Sequence, residues 1–137
     1  MSWQTTWSTA WQTSLKSALT SYTVRRGPLA NIEPDGNVAA VIITTTDREF
    51  RPGASPSGTH VYDVRVYLGV VLHGMDDPDS VDACWNVLDT VEDACWTLLA
   101  PGTFRASQKI DEVTAITSEL VSARTGAVIV TLRVRRD

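Results

Sequence analysis

The segment from Asp79 to Leu99, DSVDACWNVLDTVEDACWTLL, constrains this chain more than any other. Val81, Cys84, Trp85, Leu88, Val91, Cys95, Leu98 and Leu99 recur at three- and four-residue steps, the period of a helix with one apolar stripe. Asp82, Asn86, Asp89, Glu92 and Asp93 fill the other side. Upstream, Pro78 suits a first helical position, and Asp76, Asp77 or Asp79 can meet the free N–H groups and the positive dipole end. Downstream, Pro101 and Gly102 stop the helix. A helix that is apolar on one side needs a cover, and the flanking segments offer strands.

A chain of 137 residues is expected to form one domain over its whole length, 1–137, with a core of useful size. Its formal net charge of −4 argues against nucleic-acid binding as the main task, because phosphate contacts need a basic surface. The first residues lack the basic and apolar regions of a secretory leader, and no apolar run approaches a membrane span, so the expected setting is the cytoplasm. Cys84 and Cys95 are eleven residues apart. On one helix that is roughly 16 Å, too far for a disulfide, and two small buried hydrophobes are expected.

From the beginning of the chain, Trp3, Trp7, Trp11, Leu15, Ala18, Leu19 and Tyr22 form one helical stripe over residues 3–22. Most other positions there are Ser, Thr and Gln, middling helix formers, so docking of the Trp stripe must hold the helix. A row of aromatics can also serve as a sugar or membrane-surface platform. The opposite side has almost no Lys or Arg to meet headgroups, which favours core packing or a subunit contact. Pro34, Asp35 and Gly36 signal a turn, and Val38 to Thr46 is β-branched and strand-like. Asp47 to His60, DREFRPGASPSGTH, is expected to be a long loop between two strands. Its Gly53-to-Gly58 spacing resembles a phosphate-binding loop, but Thr59-His60 stands where Lys-Ser/Thr is needed and a strand follows.

Val61 to His73 alternates most clearly, with Tyr62, Val64, Val66, Leu68, Val70 and Leu72 on one side. The other side is semi-polar and suits solvent or a neighbouring subunit. After a variable stretch, Thr103 to Glu112, a weaker strand over Val113–Val121 has Ile116, Leu120 and Val121 as apolar anchors. Arg124-Thr125-Gly126 reads as a turn and Ala127–Arg135 as a strong last strand. The expected fold is α+β in the order α-β-β-α-β-β: a mainly antiparallel sheet packed by an N-terminal helix and the long central helix. The echo Asp82-Ala-Cys-Trp85 and Asp93-Ala-Cys-Trp96 is a packing stripe, close to three turns apart, not a structural repeat.

No catalytic group, metal-ligand set or cofactor motif is expected. His60 and His73 are the only histidines, and neither has partners at ligand spacing. Asp76, Asp77 and Asp79 depart from a calcium loop, and helix capping accounts for them. Charge is more informative. Gly74 to Phe104 holds seven acids and no Lys or Arg, while basic residues gather at Arg25 and Arg26, Arg48 and Arg51, and Arg133, Arg135 and Arg136. One reading is a solvated helix face. The other is a monomer with an acidic and a basic side, able to meet copies of itself head to tail.

The N-terminal helix, the strand pair around a long loop, the alternating Val61-Tyr-Asp-Val-Arg-Val-Tyr-Leu strand, the DDPDSVDACWNVLDTVEDAC helix and the closing VIVTLRVRR hairpin resemble the tail terminator, or tail completion, proteins of long-tailed bacteriophages. The resemblance covers nearly the whole chain and rests on architecture; the triple-Trp helix matches no motif of that family. It implies a structural virion protein assembled in the host cytoplasm. Such a protein forms a hexameric ring on the head-proximal end of the tail tube, stops tube polymerisation and offers a head–tail joining surface. Its implied partners are copies of itself, the tail tube protein and the head–tail connector, without catalysis. The candidate contact residues are Arg48, Arg51, Asp82, Asp89, Asp93, Arg133 and Arg135, with loop 47–60 reaching tube or connector. Two alternatives stay open: another neck, head-completion or tail tube protein, and a small α+β enzyme or ligand-binding module.

Overall fold

The computed structural model describes residues 3–26, 40–50, 60–71, 79–121 and 125–136; of residues 40–50, 60, 71, 79, 80 and 136 it describes the backbone. The elements are α1 (Trp3–Ala18), β1 (Thr23–Arg26), β2 (Ala40–Phe50), β3 (His60–Val71), α2 (Asp79–Leu98), α3 (Thr103–Ser107), β4 (Ile110–Leu120) and β5 (Thr125–Arg136). The fold is α+β. Its five strands run in the order β1-β2-β3-β5-β4, antiparallel except for β1 beside β2. The expected order α-β-β-α-β-β therefore lacks two short elements, β1 and α3.

Strict alternation in β3 and β5 builds the floor of the core. Val64, Val66 and Leu68 are in register with Leu132, Val130 and Val128, and all six are fully buried. Period-two patterning puts every one of these side chains on the same face. Burying each contributes about 1.5–3 kcal/mol. The three helices cover this face. The opposite face carries Asp63, Arg65, Tyr67, Ile129, Thr131 and Arg133, half-buried or exposed.

α1 lies on β1 and β2, and α2 lies on β3, β5 and β4. Trp7, Trp11 and Leu15, at four-residue steps, are the buried residues of α1. Trp11 packs on Trp7 at 5.4 Å and meets Phe104 of α3 edge-on at 5.4 Å. On the outer side, Thr9 and Ser17 hydroxyls donate to carbonyls one turn back, at 2.7 and 3.3 Å. α1 ends four residues before the expected Tyr22 because the chain must reverse into β1; Leu19 still packs, 4% exposed. Gln12 ties the two elements, its Nε2 donating to Val24 O at 3.2 Å while its Oε1 accepts from Arg26 Nε at 3.2 Å.

α2 buries Cys84, Leu88, Val91, Cys95 and Leu99 completely or nearly so. It can approach the sheet closely because Gly126 lies beneath it: a Cβ there would sit 2.8 Å from Leu88 Cδ1 and 2.8 Å from the Glu119 carbonyl. Trp85 departs from the expected inner stripe. It is 39% exposed, and Val87, 9% exposed, is turned inward instead. The expected cap residues Asp76, Asp77 and Pro78 lie outside the described residues. After the Pro101-Gly102 stop, Arg105 of α3 donates to the carbonyls of Leu99, Ile110 and Asp111, at 3.4, 3.2 and 3.0 Å. One guanidinium thereby joins the end of α2 to the start of β4 and occupies a helix-end carbonyl that would otherwise lack a donor.

Two further boundaries differ from the sequence reading. Asp47 to Phe50, expected in the loop, continue β2 and pair with Arg65 to Tyr62, so the backbone ladder runs on although the side chains turn charged. Residues 51–59 lie outside the described residues. β4 starts at Ile110, which is buried, and Val121, an expected anchor, is 64% exposed. Two register shifts in β4, between Ile110 and Glu112 and between Val113 and Ala115, return its apolar residues to the covered face.

Candidate assembly interface

Among the described residues, chemistry-bearing side chains do not converge into a metal set: no three His, Cys, Asp or Glu side chains gather. His60 is the register partner of Arg136 in the sheet, and His73, Asp76 and Asp77 lie outside the described residues. Cys84 and Cys95 are free thiols in the core. Burial pushes the Cys84 thiol up. Burial, with the Glu92 carboxylate nearby, pushes Cys95 up to about 12. Both therefore stay protonated and unreactive at neutral pH. An open hollow of about 300 Å³ lies between the start of α1 and the α3–β4 turn, lined by residues including Trp3, Thr6, Lys109 and Arg135.

The charged residues separate into two groups. On the open face of the sheet, the β5 arginines are paired within the chain. Arg135 Nε stands 2.7 Å from Asp111 Oδ1. Arg133 lies between Glu112, at 3.3 Å, and Asp63, at 3.8 Å. Arg65 lies over the Tyr67 ring, 5.9 Å from its centroid. These half-exposed pairs are each worth about 0–1 kcal/mol to stability. The sequence reading offered Arg133 and Arg135 as counterparts for a neighbour's acids. In the structure their first partners are carboxylates on adjacent strands, which neutralise the basic stripe.

The second group lacks opposite charges among the described residues. Asp82, Asp89 and Asp93 are exposed on the outer side of α2, and no cation partners them among the described residues. Trp85 and Trp96 share that side, 39% and 52% exposed. An eleven-residue step rotates a helix by only about 20°, so both indoles project from one stripe, roughly 16 Å apart. Lys16, Arg25 and Arg26 are exposed at the α1–β1 side, again without a carboxylate among the described residues. Among the described residues, Arg26 is held by neutral acceptors, Gln12 and Ser8.

The candidate contact residues thus fall in different places. Asp82, Asp89 and Asp93 share one outward face; Arg133 and Arg135 lie on β5 within intrachain pairs. Arg48 is the register partner of Val64 in β2, and Arg51 lies outside the described residues. Sequence reading passed over Lys16 and put Trp96 in a packing stripe, whereas it is 52% exposed. Trp96 was detectable: in each Asp-Ala-Cys-Trp copy the Cys faces the core, and the next residue is rotated about 100° away from it. No helix of the described residues is long and apolar enough to cross a membrane. A comparison with protein-family models finds no match, and neither does a comparison with curated proteins.

Proposed function

We propose that this chain is a structural subunit that assembles with copies of itself, of the kind that closes the head-proximal end of a phage tail tube. On this reading it forms a ring, ends tube growth and meets the tail tube and connector proteins, without catalysis. The observation that carries the reading is the segregation of charge: an acidic helix face with two exposed indoles and a basic corner at α1–β1 each lack an opposite charge among the described residues, whereas Arg133 and Arg135 on the open sheet face are paired within the chain. Uncompensated opposite patches on one monomer are suited to heterologous, head-to-tail contact, which closes when the rotation allows. The resemblance of the helix–strand order to tail terminators supplies the specific assembly.

Sedimentation velocity with negative-stain imaging tests this directly. Purified full-length protein is expected to form discrete single rings. Long tubes would identify a tube subunit instead. A chain that remains monomeric at millimolar concentration overturns the self-assembly reading.

A further inference from the structure

We infer that, within such an assembly, the outer face of α2 in one copy docks on the α1–β1 corner of the next, with Trp85 and Trp96 as anchors. The inference rests on the self-assembly reading and names the two surfaces that meet.

The sheet order places β1 and β4 at opposite edges. α1 sits at the β1 edge and α2 toward the β4 edge of the same sheet face, so the two patches occupy different parts of one monomer. Their charges are fully segregated. Residues 3–26 hold Lys16, Arg25 and Arg26 and no acid, whereas residues 79–104 hold five acids and neither Lys nor Arg. Like patches repel, so a repeated contact between copies pairs the acidic face of one with the basic corner of another.

The side-chain chemistry also matches. Trp85 and Trp96 stand among Asp82, Asp89 and Asp93, so an incoming cation meets both an indole face and a carboxylate. Guanidinium and ammonium groups are attracted to the indole face, and more strongly once water is displaced. On the other side, α1 has a shallow hollow of about 330 Å³ lined by Gln12, Thr13, Lys16 and Ser17. Arg26 adjoins this hollow through its bond to Gln12, 3.2 Å long. The hollow gives an indole a place to sit, with cations at its margin. Exposed tryptophans paired with arginines across a contact are the side chains that most often dominate association energy.

Charge exchange distinguishes this pairing from any other mode of association. In the full chain, a basic-corner variant (K16E with R26E) and an acidic-face variant (D89K with D93K) are each expected to sediment as monomers. Mixed in equal amounts, they regain oligomers, because the acidic corner of one now fits the basic face of the other. The fourfold variant assembles alone. W96A is expected to weaken association at least tenfold, with an unchanged circular-dichroism melting point at dilutions where both proteins are monomeric. Should either reversed pair unfold, the neutral variants R26Q and D93N provide the same comparison, each weakening assembly and its salt dependence.

If wild-type protein assembles and the reversed variants assemble equally well, or their mixture stays monomeric, the pairing is wrong while self-assembly stands. If wild-type protein stays monomeric, both are wrong.

Discussion

In α1 the indoles of Trp7 and Trp11 are 3% and 0% exposed, packed on each other and closed off by Phe104. In α2 the indoles of Trp85 and Trp96 are 39% and 52% exposed. Residue type is the same and the helices rest on the same face of the same sheet, so register decides the difference. α1 has large apolar residues only at its four-residue steps, and it must bury them to hold a helix otherwise made of Ser, Thr and Gln. α2 has a complete seam of Cys, Val and Leu, small enough to let it rest above Gly126. Its tryptophans are surplus to the core. A helix that needs its aromatics for folding hides them, and one that does not has them available for contact with other molecules.

The largest expected effect lies on the α1 side of that contrast. Trp11→Ala removes a fully buried indole with aromatic neighbours on two sides, and should cost about 3–5 kcal/mol in urea unfolding. A loss under about 1 kcal/mol would mean that the stripe is not needed to dock α1. An intermediate effect belongs to the α2 seam. Both thiols titrate above their ordinary value of 9.0 in the folded chain, Cys95 at about 12. The unfolded chain then releases these protons first. Stability should be fully present below about pH 9 and fall as pH rises from there toward about 12. Cys95→Ala should flatten that slope between about pH 9 and 12; an unchanged slope would assign it to other groups. The smallest effect is expected for Trp96→Ala, within about 0.5 kcal/mol of wild type for the monomer. A larger loss would erase the distinction between the two helices.

Much of the architecture can be read directly from residue order, and the reasons for the exceptions are physical. β3 and β5 alternate so strictly that their buried residues, Val64 to Val70 and Val128 to Val134, follow from period two alone. The inner stripe of α2 was legible except at Trp85 and Val87, where hydrophobicity pointed one way and close approach to the sheet the other. β1 was hidden because four residues with one buried side chain, Val24, pair in parallel with β2, a non-local partner that leaves no hairpin signature. The last turn of β2 was hidden because Asp47, Arg48 and Glu49 look like loop residues, whereas a ladder is made by backbone groups. The three carbonyl contacts of Arg105 have no signature at all, since every residue supplies a carbonyl.

For the contact surface, the acids of α2 were visible as a cluster, and their exposure follows from helical period. The intrachain partners of Arg133 and Arg135 were not legible, for a different reason. In a sheet, the nearest opposite charge is set by cross-strand register, here Glu112 across from Arg133, and register across a 24-residue-distant pair such as Arg135 and Asp111 cannot be read from spacing.

The two register shifts in β4 have one more consequence. An outermost strand with evenly spaced amide and carbonyl groups is an open template for a stranger's backbone, and chains that carry one tend toward fibrils. The extra residues of β4 break that even spacing twice within its first five positions. Sheet extension from this border is therefore discouraged, and a protein kept at high local concentration can remain orderly.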